Sequence, residues 1–174
     1  KALTQGARAI SFNCAHAIDM AHAAEDVAER AHWQERAALL TPIAKSFSTD
    51  AGVDVASMGI QVHGGMGFIE ETGAARYLRD ARIAPIYEGT NGIQAIDLVV
   101  RKLPLSDGAQ VRGFIAELRE IVARTAASNR SDLGETARYL ETSLTDLETA
   151  TDWLLERLKA GETETALAGA TPYQ

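Results

Sequence analysis

The chain is short of cysteine, of proline and of aromatic rings, and each shortage removes a class of structure. Cys14 is alone among 174 residues, so no intrachain disulfide can form and no cysteine-based zinc site exists. A single thiol fits a reducing compartment, and a cytoplasmic location is the expectation. Four prolines and 6% aromatics stand beside 31 alanines, a balance that favours helix packed on helix over a β-sandwich. No apolar run approaches the roughly 20 residues that span a bilayer, and no signal peptide is visible, so no membrane span is expected. Basic residues are also outnumbered, 17 against 24 acidic, for a net charge of −7. Without a basic cluster, nucleic acid and anionic membranes are poor partners.

What is present is enough apolar material, 46%, to bury a core and to exclude wholesale disorder. The length suits one good-sized domain, or one domain with part of another. Lys1 lies inside what reads as a helix, and Tyr173-Gln174 ends the chain without a cap, so an excerpt of a longer protein is expected.

Apolar residues recur at Leu3, Ala7, Ile10, Cys14, Ile18 and Ala21, the spacing of one helix face. A second stripe runs through Leu40, Ile43, Phe47, Ala51, Val55, Met58 and Val62, with Pro42 near its start, where a missing N–H does little harm. Two such stripes predict an antiparallel pair in an all-α, up-and-down helical bundle. Residues 73–80 suit a short helix. Thr90 or Asn91 suits the N-cap of another, with Ile93, Ile96, Val100 and Leu103 on its apolar face and Pro104 as its end. Leu105-Ser106-Asp107-Gly108 reads as a linker, which divides the chain into a bundle at 1–104 and a helical extension at 105–174. The extension carries one helix with Val111, Ile115, Leu118 and Val122. A second has Leu133, Ala137, Leu140, Leu144, Leu147, Leu154 and Leu158, interrupted at Thr151 and stopped by Gly161, and a last helical start follows at 164–169.

Half of the fourteen glycines fall between 59 and 92: Gly59, Gly64, Gly65, Gly67, Gly73, Gly89 and Gly92. That exceeds what short bundle connections require, and glycine lets backbone approach a ligand closely. In Gln61-Val62-His63-Gly64-Gly65-Met66-Gly67-Phe68 a helix end breaks into glycines. Backbone amides there can meet a phosphate or ring edge, with Gln61 as a side-chain donor, or the glycines are simply a cap and turn. His63 reads as structural. In Ile86-Tyr87-Glu88-Gly89-Thr90-Asn91-Gly92, Glu88 is the acid in an uncharged stretch. Apolar surroundings raise a carboxyl pKa and make a general base, whereas a solvated loop acid has no such role. Arg76, Arg79, Asp80 and Arg82 read as a surface ion-pair cluster. His16, His22 and His32 fall on one predicted helix. Glu29-x-x-His32 is half of a di-iron motif whose other half is missing, so no metal role is expected.

The stretch QVHGGMGFIEETGAARYLRDARIAPIYEGTNGIQ, residues 61–94, resembles the C-terminal helical domain of acyl-CoA dehydrogenases. GGxGF followed about twenty residues later by YEGT is a specific pairing, and the resemblance covers roughly the first 104 residues. With residues 105–174, the chain resembles a longer branch that carries an extra C-terminal helical domain. That branch includes 3-methylmercaptopropionyl-CoA dehydrogenase-like and broad-range acyl-CoA dehydrogenases.

The resemblance implies a FAD enzyme that converts an acyl-CoA thioester to the trans-2-enoyl-CoA. Glu88 matches the family's catalytic base for the α-proton, and its backbone N–H a donor to the thioester carbonyl. Gln61, Gly64 and Gly65 match contacts to the FAD of a neighbouring subunit. Thr90 and Gly92 match contacts to the subunit's own FAD, although glycine at 92 offers backbone alone. Tyr87 and Gly89 fall at the substrate, Tyr87 lining the acyl pocket. The resemblance further implies electron-transfer flavoprotein as electron acceptor and a homo-oligomer that shares FAD sites. The rival readings are an acyl-CoA oxidase that uses oxygen and a catalytically silent assembly domain. The excerpt alone is expected to be inactive, because the segments that grip the flavin ring would precede Lys1.

Overall fold

The first helix, α1 (Ala2–Ala23), forms over the alanine-rich stretch the periodicity marks and ends where Ala24 turns extended, at ψ 123°. The computed structural model describes residues 1–128 and 130–174. The second helix, α2, runs without a break from Val27 to His63, 37 residues, about 55 Å at 1.5 Å per residue. Asp26 caps it: its Oδ2 accepts from the Glu29 amide at 2.8 Å, and Glu29 adds a favourable negative charge in the first turn. Arg30 ties the turn down by donating to the Ala24 carbonyl at 2.8 Å.

Two sequence expectations change here. His32 lies on α2 rather than on the helix of His16 and His22, because the chain reverses at 24–26. The imidazoles of His16 and His32 flank Trp33 edge-on instead, with ring centroids 5.5 and 5.3 Å away. Pro42 is well inside α2, not near its start, and it is buried.

The pairs Ser11–Ser48, Cys14–Thr41 and His16–Trp33 run in opposite senses along the two helices, so α1 and α2 are antiparallel. Their seam is built from small residues, Cys14, Ala17, Ala21 and Ala51, with Leu39 and Leu40 fully buried beside them. Each such leucine contributes roughly 1.5–3 kcal/mol by burial. The second predicted stripe is only partly covered. Phe47, Val55, Met58 and Val62 are exposed, Val62 by 84%.

After α2 come the single turn α3 (Gly65–Phe68), α4 (Ala74–Arg82) and α5 (Asn91–Asp97), each packed on α2. The α5 helix passes into a π-turn over 98–102. The buried face is accordingly Ala95, Leu98, Val99 and Leu103, while Ile93 and Ile96 stay exposed, contrary to the expected stripe. A π-turn inserts one residue per turn and rotates everything after it.

The chain divides into two compact units, Lys1–Leu98 with Gln174, and Val99–Tyr173. Within the second, α6 (Ala109–Ala126) and α7 (Thr136–Lys159) are antiparallel, and α8 (Thr163–Ala168) and α9 (Ala170–Tyr173) follow. Arg112 pairs with Asp152 at 2.7 Å, and Arg119 bridges Glu141 and Glu148. Among the described residues there is no strand, and no helix is long and apolar enough to cross a membrane.

Thr151, the break in the leucine stripe, is 1% exposed. Its hydroxyl donates to the Leu147 carbonyl at 2.7 Å, so the Tyr173 hydroxyl at 2.8 Å donates to it. Burial pushes the Tyr173 phenol above its ordinary pKa. Thr151→Val keeps the shape and strands the phenol. It is expected to lower stability in urea unfolding by about 1–2 kcal/mol, and by clearly less in a Tyr173→Phe background, where no polar group is left unpaired.

Candidate functional site

At the end of α2, Gly64 takes φ 60°, ψ −144°, a conformation open to glycine alone, and its amide donates to the Gln61 carbonyl at 3.1 Å. The helix thus breaks into glycines as the sequence suggests, and Gln61, Gly64 and Gly65 are all exposed. The glycines serve different purposes. A Cβ on Gly64 or Gly65 meets nothing within 4 Å, while one on Gly67 falls 2.3 Å from the Ile60 carbonyl oxygen. Gly67 is a packing residue that lets α3 fold back on α2. Gly64 and Gly65 leave a bare stretch of backbone. His63 is structural as read, its Nδ1 donating to the Gly59 carbonyl at 2.9 Å.

The second segment is the loop from α4 to α5. Two tight turns compress it, with the Ile86 and Tyr87 amides donating to the Ile83 carbonyl at 2.9 and 3.1 Å. Glu88 then adopts φ 55° and Gly89 φ 85°. A left-handed glutamate costs roughly 1–2 kcal/mol, so the surroundings have to impose it. Thr90 ends the turn as N-cap of α5, its Oγ1 accepting from the Ile93 amide at 3.3 Å.

Contacts from both sides hold the turn. Gln94 Nε2 donates to the Glu88 carbonyl at 3.3 Å. From α2, Lys45 Nζ donates to the Gly89 carbonyl at 2.9 Å and to Asn91 Oδ1 at 2.7 Å. Asn91 Nδ2 reaches back to Asp50 Oδ1 at 2.8 Å and Thr49 Oγ1 at 3.0 Å. Sequence reading passed over Lys45, Gln94 and this role of Asn91. A signal was there for α2: Pro42, Lys45, Ser46, Thr49 and Asp50 share one helix face.

Glu88, Tyr87, Thr90 and Gly92 are exposed and Gly89 is half-buried. The apolar neighbours Ile83, Ile86 and Tyr87 are themselves about half exposed, so this chain does not enclose the Glu88 carboxylate, contrary to the picture of an apolar setting. Around the charge cluster, Arg79 pairs with Glu70 at 2.7 Å, and its guanidinium holds the Glu70 carboxyl below the usual range. Arg76 lies 3.8 Å from Asp80, one helical turn on. Both are surface pairs.

The two candidate segments are far apart. The 88–91 turn docks beside Lys45, and Gly64 lies about 28 Å further along the α2 axis. Thr90 and Gly92 therefore address one place, Gln61, Gly64 and Gly65 another. Each offers uncovered backbone: a Cβ on Gly92 meets only Thr90 Oγ1, at 3.8 Å. Such surfaces suit a long, polar dinucleotide like FAD. Between α2 and α4, Val55, Ala56, Gly59, Thr72 and Tyr77 also line an apolar groove of about 490 Å³.

The glycine roles separate by mutation. Gly67→Ala drives a methyl into backbone and is expected to lower the melting temperature by several degrees, a cost of more than about 1 kcal/mol. Gly65→Ala is expected to leave it within about a degree.

Residues 4–103 match the family model for the acyl-CoA dehydrogenase C-terminal domain, and residues 110–174 match one described as acetyl-CoA dehydrogenase C-terminal like. The chain is 41% identical to 3-methylmercaptopropionyl-CoA dehydrogenase of Ruegeria pomeroyi, over 99% of this chain and 29% of that protein. It is 32% identical to a butyryl-CoA dehydrogenase of Syntrophomonas wolfei, over 71% of this chain and 20% of that protein. Both relatives are therefore several times longer than the stretch matched. Among solved structures, Bd2924 in its apo form superposes with a TM-score of 0.61 at 22% identity, covering 93% of this chain and 28% of that one. At that identity the likeness speaks to the fold alone. The family model spans more than half of the sequence with its helical architecture, and the chain belongs to the acyl-CoA dehydrogenase family.

Proposed function

We propose that this chain is the C-terminal part of a FAD-dependent enzyme that oxidises an acyl-CoA thioester to the trans-2-enoyl-CoA, with Glu88 as the base. The observation that carries the reading is the left-handed turn at Glu88, held from α2 and α5 with its carboxylate left exposed to a ligand. An α-proton of a thioester is weakly acidic, so its removal needs a carboxylate fixed beside it and donors at the carbonyl. Glu88 takes that proton onto its carboxylate. The Glu88 amide donates to the thioester oxygen, Gly89 lets the substrate approach the backbone, and Tyr87 packs on the acyl chain. FAD, when bound, accepts the β-hydrogen as hydride. The bound acyl chain, with Ile86 and Tyr87, expels water from around the carboxylate and strengthens it as a base.

Thr90 and Gly92 contact the cofactor of their own subunit, while Gln61, Gly64 and Gly65 contact that of a neighbour. The separation of the two sets along α2 supports this division and with it a homo-oligomer that shares its sites. Residues 1–104 form the catalytic bundle and 105–174 an added helical domain. Electrons leave to electron-transfer flavoprotein in the cytoplasm, and these 174 residues by themselves do not turn over.

The test uses the flavin-loaded enzyme that contains this chain, mixed without oxygen with butyryl-CoA and 3-methylmercaptopropionyl-CoA. Visible flavin absorbance is expected to bleach with at least one. In Glu88→Gln the bleaching rate is expected to fall by about 10²–10⁴-fold with flavin content unchanged. A mutant that bleaches as fast as wild type removes Glu88 from the mechanism. Rapid recolouring in air, without electron-transfer flavoprotein, favours an oxidase instead.

A further inference from the structure

Glu88 is non-glycine in a left-handed turn, φ 55°, followed by a second left-handed residue at φ 85°. Nothing in the local sequence favours that conformation for glutamate. Were the backbone to relax, the carboxylate would swing to a different direction, so whatever locks the turn also aims the carboxylate. Gln94 of α5 donates to the Glu88 carbonyl at 3.3 Å, and from α2 the lock is Lys45. Its half-buried ammonium donates at 2.9 Å to the carbonyl of Gly89, the residue directly after Glu88, and at 2.7 Å to Asn91 Oδ1.

Two further features make this more than an incidental contact. An ammonium forms charge-assisted bonds and has three donors, so it grips two oxygens together, which no neutral side chain of that length does. Asn91 also carries the network on to Asp50 Oδ1 at 2.8 Å, which sets a carboxylate against the ammonium through a single amide. The Gly89–Thr90 peptide is trans, so with its carbonyl held toward Lys45 the Thr90 N–H points away from α2. The cation thereby fixes the Gly89–Thr90 peptide plane, next but one to Glu88, while Gln94 holds the Glu88 carbonyl itself.

We infer that Lys45 is a positioning residue for Glu88: through the Gly89 carbonyl and Asn91 it holds the carboxylate in the direction that reaches the substrate α-proton. Lys45 acts through the loop backbone and the Asn91 amide. The inference rests on the reading of Glu88 as the base.

The experiment compares wild type, Lys45→Met, Lys45→Arg and Glu88→Gln in the flavin-loaded enzyme. Three quantities are read: the limiting rate of anaerobic flavin bleaching by the better of the two acyl-CoAs, its half-saturating concentration, and amide hydrogen exchange over residues 87–92. Methionine keeps the aliphatic stem and deletes the ammonium. Lys45→Met is expected to bind flavin as wild type does and to exchange faster at 88–91. It is expected to lose about 10–100-fold in limiting rate, with the half-saturating concentration within about threefold. Lys45→Arg is expected to recover most of that rate. If Lys45→Met does not accumulate, Lys45→Gln is read in the same way.

A wild-type limiting rate in Lys45→Met, or unchanged exchange at 88–91, overturns the inference. A slow Lys45→Met that Lys45→Arg fails to improve overturns it as well, since loss of packing then explains the defect. Glu88→Gln separates the two ideas. If it bleaches at the wild-type rate, the base reading fails. If it is inert while Lys45→Met is fast, only the positioning role fails.

Discussion

The first unit depends on one constraint, the continuity of α2. A proline inside a helix removes an i→i−4 hydrogen bond and costs about 3 kcal/mol, yet the helix runs through Pro42 for 37 residues. Burial of Pro42 beside Leu39 and Leu40 offsets that cost. Because the helix is unbroken, α1 has a continuous partner, and α3, α4 and α5 have a common surface to pack on. The two candidate segments are then fixed at separate points along one helix, the Glu88 loop near its middle and the glycine break at its end.

The seam along that helix is made of small side chains, and this explains an otherwise odd distribution of apolar surface. Alanines at 17, 21 and 51 let α1 and α2 come close together, so little volume is needed to fill the space between them. The larger residues of the same helices, Phe12, Phe47, Met58 and Val62, are left facing outward.

What was legible in the sequence follows from how local each signal is. The Thr90 cap, the glycine break after His63 and the existence of α6 and α7 depend on residues within a turn or two of each other, and they read correctly. The reversal at 24–26 carries no glycine or proline. Its remaining mark is the Asp26-x-x-Glu29 cap, so a single long helix seemed to reach His32 and Pro42 seemed to open the next one. The π-turn after Asp97 leaves no compositional trace, so the stripe was drawn back from the buried Leu103 as if the helix were regular throughout, which put Ile93 and Ile96 inward. Lys45 escaped notice because its partners lie more than forty positions away in sequence, at a distance that periodicity does not reach. Thr151 looked like a flaw in a leucine stripe because its partner, Tyr173, belongs to another helix.

The unbroken span of α2 between Lys45 and Gly64 also acts as a ruler. Adding or deleting one residue there turns everything beyond it by about 100° and moves it by about 1.5 Å. The glycine break would then face a different side from the one set by the Glu88 loop. A change of seven residues restores the face to within about 20° but displaces it by roughly two turns of helix. No length change therefore preserves both the direction and the distance between the two segments. The exposed side chains along the span are free to vary, but its length is hardly free at all.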